Sequence, residues 1–337
     1  MQVTRKRIYT TLFVSVLLMF ILIYDLPYYV YQPGNADALS PMITVEDGYE
    51  AEGEFHLVTV SGSQLSILQY IIAQFRPYHE IVPLEEVRPD GISDEEYMHY
   101  QLMLMDGSKH AAMMVAFEAA NKKIEKIDNG VYVVRVVEGM PAEGKLEMGD
   151  RIVAIDDLNI KTADELVDYV KAKEAGDEIL VKAMRDEKEV VQEIQVTQFP
   201  DKDDVGIGIQ LVTDQDVTVE QKVDVDSGKI GGPSAGLMFA LALYNQLVEE
   251  DITKGYKIAG TGEIDEAGNV GRIGGVDKKV VAADRSGIEV FFAPHEDGRA
   301  DSNYEEAKAT AEAIGTKMQI VPVDTFEEAL AYLADLP

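Results

Sequence analysis

The sequence predicts a multidomain α+β chain behind an N-terminal transmembrane helix, and three observations carry that prediction. A length of 337 residues with 46% hydrophobic content supports more than one packed core. Arg5, Lys6 and Arg7 precede an uncharged run from Ile8 to Tyr24, and no further lysine or arginine follows until Arg76. Beyond Asn129 the periodicity changes twice, first to short strands around one helix, then after Val205 to strands and helices in mixed order.

The basic tip orients the first element. By the bias of basic residues toward the cytoplasmic side, residues 1–31 form a single-pass anchor whose N-terminus stays inside, and everything after about Val30 is expected outside the plasma membrane. Tyr24, Tyr28, Tyr29 and Tyr31 fit an interfacial aromatic belt, which helps a run that is slightly short for a span at ~1.5 Å per residue. Ala36-Asp37-Ala38 faintly matches a signal-peptidase site but lies far beyond the apolar run, so a retained anchor is expected. Residues 32–128 read as a stalk and a helical region. The part up to Glu52 is Pro-, Gly- and acid-rich, Phe55–Val60 alternates like a strand, and Leu65, Leu68, Ile71, Ile72 and Phe75 give Gln64–Phe75 a helical spacing. Asp94–Lys122 is expected to be helical with a break near Asp106-Gly107, and its methionines Met103, Met105, Met113 and Met114 read as packing surface.

Composition removes several functional classes. Sixty-one acidic against 30 basic residues give a net charge of −31, a surface that repels nucleic acid phosphates. The lack of cysteine removes thiol catalysis, disulfides and most zinc sites, and the five histidines show no His-Glu-x-x-His spacing, so neither a metal nor another cofactor is implied. No Gly-x-x-x-x-Gly-Lys-Ser/Thr loop occurs, and no nucleotide is expected as a partner.

Within residues 129–198, the segments Gly130–Val137, Met140–Leu146, Gly149–Ile155, Ala163–Lys171 and Ile179–Arg185 together resemble a bacterial PDZ domain, with Gly149-Asp150 as the most recognisable mark. The resemblance implies that a peptide is bound by adding a strand to a sheet edge beside the helix. Asp156, Asp157, Asp164 and Glu165 read as a solvated face, which leaves a basic peptide open as ligand. Pro200–Asp204 reads as a charged hinge into a C-terminal domain over residues 205–337.

The chemistry is expected in Gly228–Leu247. Gly231 and Gly232 allow a tight turn, Pro233 suits a first helical position, and Ser234 falls where the chain enters a helix that is apolar throughout Leu237–Leu243. Such a start places a hydroxyl beside unpaired N–H groups able to stabilise an oxyanion. Gly232, Ser234 and Gly236 also match the Gly-x-Ser-x-Gly elbow of α/β-hydrolases, but Asp224–Ile230 is polar and glycine-broken where that elbow needs a buried strand, and only His295 follows. A serine without a histidine needs another base, and lysine is a known substitute.

Gly232-Pro-Ser-Ala-Gly236, with Thr261-Gly-Glu-Ile264 and Ile273-Gly-Gly-x-x-x-Lys279-x-x-Ala-Ala283, resembles the proteolytic domain of Lon proteases over about Val205–Leu336. The resemblance implies an α+β fold and a Ser234–Lys279 dyad. Helix spacing does not choose strongly between Lys278 and Lys279; the family pattern chooses Lys279, kept neutral by apolar surroundings, and leaves Lys278 expected in solvent. Thr261 matches a family threonine near the lysine and reads equally well as turn chemistry. Gly231 departs from ATP-dependent members, which usually carry an acidic residue three before the serine. Further on, Val290–Pro294 and Met318–Val323 read as strands, Tyr304–Ile314 as a helix, and Asp324 with Glu327 as a capping box.

The expected function is a membrane-anchored, ATP-independent serine endopeptidase acting outside the plasma membrane. It would cleave extended peptides, or exposed segments of small membrane or secreted proteins, recruited by the PDZ domain. The alternative is a non-catalytic PDZ adaptor with a structural peptidase fold.

Overall fold

The chain completes its domains out of sequence order. In the computed structural model, which describes residues 5–88, 93–185, 187–199 and 204–337, one compact unit takes Met1–Lys122 together with Gln221–Pro337, and Lys123–Glu220 forms a second.

The first element corrects the sequence expectation. Helix α1 spans Arg5–Ile23, and among the described residues no helix is long and apolar enough to cross a membrane. The uncharged part from Ile8 covers roughly 24 Å at about 1.5 Å per residue, short of a ~30 Å hydrocarbon core. The chain then turns at once into strand β1, Asp25–Ala38. Tyr28, Tyr29 and Tyr31, assigned above to a membrane interface, therefore belong to a sheet.

The expected stalk is likewise part of the fold. β1 pairs antiparallel with β2, Glu54–Ser66, which leads through a Ser66–Gln69 capping box into helix α2, Ile67–Ala73. Strand β3, Glu80–Pro83, closes the edge of the sheet against β1. Helix α3 then runs unbroken from Asp94 to Ala119, capped by Ser93 and Glu96 with three acidic residues in its first turn. The break expected at Gly107 does not occur.

The second unit holds strands β4 (Ile124–Val136) and β5 (Arg151–Ile155), helix α4 (Ala163–Lys171), and strands β6 (Glu178–Arg185), β7 (Lys188–Gln195) and β8 (Ile209–Val219). Its sheet runs β8-β4-β5-β6-β7, so β8, expected in the C-terminal domain, pairs along the whole of β4. Gly149 takes φ +86° to turn Asp150 inward, where the buried carboxylate accepts from Arg185 Nε at 2.6 Å and Nη2 at 2.7 Å. α4 buries Leu166 and Val170, one turn apart, behind a Thr162–Glu165 capping box. Of the hinge expected at Pro200–Asp204, residues 200–203 lie outside the described residues.

Returning to the first unit, Val223–Val225 pairs with Ile43–Val45 and feeds the serine loop. Then come helix α5 (Gly236–Leu247), strand β9 (Lys257–Gly260), the short pair β10 (Glu263–Ile264) and β11 (Val270–Gly271), helix α6 (Val276–Arg285), strand β12 (Val290–Pro294), helix α7 (Asn303–Ile314), strand β13 (Gln319–Val323) and helix α8 (Phe326–Ala334). The main sheet has the order β13-β12-β9-β2-β1-β3, parallel from β13 to β2 and antiparallel beyond. β12 is buried at all five positions, as a parallel strand covered on both faces requires. The last cap is shifted by one residue from expectation: Thr325 caps α8 with Glu328, while Asp324 accepts from the Glu296 and Asp297 N–H groups.

Candidate active site

Ser234 sits in a turn that helix α3 and the Thr261-Gly262 segment hold from outside. α5 starts only at Gly236, so Pro233 precedes the helix by more than the sequence suggested, and Pro233–Gly236 closes as a single turn from the Gly236 N–H to the Pro233 carbonyl at 3.3 Å. Gly232 takes φ +88° and donates its N–H to the Gln101 carbonyl on α3 at 2.8 Å. Ser108, one heptad further along the same helix face, donates Oγ–H to the Pro233 carbonyl at 2.9 Å. The Ser234 carbonyl accepts from the Gly262 N–H at 3.0 Å and from Thr261 Oγ1 at 3.0 Å.

The approach of α3 also explains Gly231. A Cβ there would stand 2.6 Å from Gln101 Cβ and 3.0 Å from its carbonyl carbon, so an acidic side chain at this position has no room. At Gly236 a Cβ would meet Ile264 Cγ2 at 2.7 Å and Ser108 Oγ at 2.8 Å, which wedges the start of α5 between α3 and β10. Leu237–Leu243 is buried throughout, as its sequence requires, and gives the turn a rigid base.

Lys279 enters from α6, whose first turn follows Gly275 at φ +68°. Its Nζ lies 2.7 Å from Ser234 Oγ and 2.8 Å from Thr261 Oγ1. The lysine is 3% exposed and the threonine 0%. Because the Thr261 hydroxyl proton is committed to the Ser234 carbonyl, Thr261 only accepts from the lysine, and this orients the amine. A neutral amine with one N–H on Thr261 has its lone pair free for the Ser234 O–H. Burial brings the Lys279 pKa from 10.5 down to about 7, against a smaller upward pull from Glu263. Partial burial in turn pushes the Glu263 carboxyl up, with Lys279 pulling it back.

Lys278 has the opposite character. It is 4% exposed rather than in solvent, and its Nζ contacts Glu80 at 2.8 Å and Asp277 at 3.1 Å. Burial pulls its pKa down, but the hydrogen bonds to Glu80 and Asp277 more than offset this and the value is raised. It therefore stays charged at neutral pH and cannot accept a proton. His295 packs edge-on against Tyr304 at 5.4 Å and does not line the cleft.

Ser234 and Lys279 open onto a cleft of about 680 Å³ whose walls come from β1, β2, α3 and the Lys229–Ala235 loop. Gln101, Ser108 and Glu263 were not singled out by the sequence, although the seven-residue spacing of Gln101 and Ser108 puts them on one helix face. In the second unit a smaller cavity of about 160 Å³ lies between α4 and Val205–Leu211, lined by Leu166, Val170, Phe199 and Ile207. The acidic residues of that unit are partly engaged: Asp156 accepts from Tyr169 Oη and the Leu180 N–H, and Glu165 caps α4.

A hydroxyl held against a buried, weakly basic amine has the constitution of a serine hydrolase centre without histidine. Comparison with known proteins places the chain further. Residues 113–196 match the PDZ domain family, and residues 201–335 match the Lon protease (S16) C-terminal proteolytic domain. The Lon protease of Aster yellows witches'-broom phytoplasma is 34% identical over 100 residues, covering 30% of this chain and 12% of the relative. That of Methanosarcina barkeri is 35% identical over 105 residues, covering 31% and 12%. The chain thus spans about an eighth of the length of these curated relatives. Among solved structures, the PDZ domain of the SdrC-like protein from Listeria monocytogenes is 36% identical, covering 25% of this chain and 88% of that one, with a TM-score of 0.24. Two segments of the chain are thus similar to known families, one to PDZ domains and one to the proteolytic domain of Lon proteases.

Proposed function

We propose that this chain is an ATP-independent endopeptidase in which Ser234 is the nucleophile and Lys279 the general base. The observation that carries the reading is the 2.7 Å contact between Ser234 Oγ and an amine whose burial lowers its pKa to about 7. Lys279 Nζ takes the Ser234 proton as Oγ attacks the peptide carbonyl. The resulting ammonium returns that proton to the leaving amine, the acyl group stays on Ser234, and water then attacks the ester with the same lysine as base. Thr261 orients the amine, and Gly231, Gly232 and Pro233 shape the turn that presents the serine. Because this sequence carries no nucleotide loop, its substrates are segments that are already extended. The cavity beside α4 is the proposed site where the PDZ domain recruits them by strand addition.

The test is the initial rate of cleavage of a fluorogenic peptide, without nucleotide, from pH 5 to 9. Activity needs neutral Lys279, so the rate rises with pH through about 7. A flat profile, or strict dependence on ATP, contradicts the mechanism. Glu263 is the charged group that opposes the depression of Lys279. Glu263→Gln is accordingly expected to move the midpoint of the rise to lower pH, and a midpoint moved upward would show that the carboxylate does not act on the amine.

A further inference from the structure

Three tyrosines of the first unit take no part in the chemistry proposed above, yet they line the same cleft as Ser234. Tyr29 and Tyr31 come from β1, and Tyr97 from the start of α3. The rings of Tyr29 and Tyr31 meet edge to face, with centroids 5.2 Å apart at 62°. Tyr31 and Tyr97, one from the strand and one from the helix, both line the cleft wall. Tyr29 lies so close to β2 that a Cβ at Gly62 would stand 2.5 Å from its ring, so the glycine fixes how deep the ring sits. Burial raises the phenol pKa of Tyr29 and Tyr31, and both stay neutral through the working range.

None of the three rings is fully covered. Met98 and Met105 stand beside them in the cleft, and unbranched thioethers adapt to aromatic and aliphatic groups alike. The cleft also carries polar and charged lining, including Gln32, Asn35, Asp37, Thr59 and Lys229, so the tyrosines and methionines form an apolar patch within it, and such a patch takes an apolar side chain by burying its surface.

We propose that Tyr29, Tyr31 and Tyr97 with Met98 form the specificity surface of the peptidase, seating a large apolar side chain, aromatic above all, of the peptide whose scissile carbonyl lies at Ser234. This rests on the reading of Ser234 and Lys279 above. The rings supply rigid contact area at low entropy cost.

The experiment uses full-length protein and a set of peptides that differ at one position at a time, carrying Phe, Ala or Lys on either side of the cleaved bond. One position is expected to show a preference for Phe over Ala of about tenfold or more in kcat/KM. Tyr97→Ala and Tyr31→Ala collapse that ratio, mainly through KM for the Phe peptide, and Tyr97→Phe, which keeps the ring, restores most of it. The same ranking is expected for binding of the peptides to Ser234→Ala protein, measured by fluorescence anisotropy. That second readout separates the two readings. If Ser234→Ala still cleaves, the assignment of the nucleophile falls while the binding preference can stand. If the ratio survives in both alanine variants, if all three peptides lose equally, or if Lys is preferred at that position, the tyrosine surface is not the selector.

Discussion

Ser234→Ala and Lys279→Met are each expected to lower peptide turnover by at least about 10⁴-fold, because residues that work as one unit fail together when either is removed. The two should differ in stability. Ser234→Ala removes a half-buried hydroxyl and leaves the turn held through backbone groups, so its melting temperature should change little. Lys279 is another matter, since its folded pKa of about 7 lies well below the 10.5 of an ordinary lysine. Between those two values the unfolded chain holds the proton more tightly, so stability rises with pH across that window; below about 7 the cost of burying the ammonium is fully present. Lys279→Met removes that cost while Thr261 keeps its bond to the Ser234 carbonyl. At pH 7 a gain of about 1–2 kcal/mol is expected, the usual size when a site residue is held against the interest of the fold. Thermal melts of wild type and Lys279→Met at several pH values check this. A variant that is inactive because it is unfolded would contradict it.

The residues that do the proposed chemistry were legible because they lie in two short motifs with strong local demands. Glycines at 231, 232 and 275, a proline before the serine, and a lysine inside a small-residue helix are choices that few other structures need. What the sequence did not reveal is who supports them. Gln101 and Ser108 lie more than 100 residues before Ser234, on a helix whose methionines read as ordinary packing, and only the chain fold brings their face against the serine turn. The strand partners stayed hidden for the same reason. Local periodicity finds strands and helices, but pairing is a long-range choice: β1 and β2 complete the sheet of a domain whose motifs start near residue 228, and β8 completes the sheet of the domain before it.

The N-terminal reading went astray where two meanings share one composition. A run of apolar residues followed by tyrosines fits a membrane interface by pattern alone. In the fold the helix ends at Ile23, and β1 carries the tyrosines into the sheet, with Tyr29 and Tyr31 facing the cleft. Tyrosine suits both places for one physical reason, a flat apolar body with a polar tip. Similarly, Lys278 and Lys279 are adjacent and both buried, and only their partners tell them apart.

Those partners make Lys278→Met the second large effect, opposite in kind to the first. Lys278 Nζ sits between Glu80 on the edge strand β3 and Asp277 on α6, so it pins the edge of the sheet to the helix that carries Lys279. Its pKa is raised in the folded state, so its stabilisation is fully present below the ordinary lysine value and is lost only as pH rises through the higher folded value. Removing one partner of a buried pair leaves the others uncompensated, typically costing about 3–5 kcal/mol. Glu80 is 57% exposed on its side chain and regains water, which places this case lower, at about 2–3 kcal/mol. For a unit of this size the melting temperature should fall by about 5–10 °C. Turnover measured well below the transition should persist, because a charged lysine held by two carboxylates takes no proton from Ser234. Glu80→Gln should lose less, and the double variant should lose less than the sum, since both remove one interaction. If Lys278→Met melts like wild type, the ion pair contributes nothing to the fold. If it is folded and inactive while Lys279→Met still cleaves, the base has been assigned to the wrong one of two neighbours.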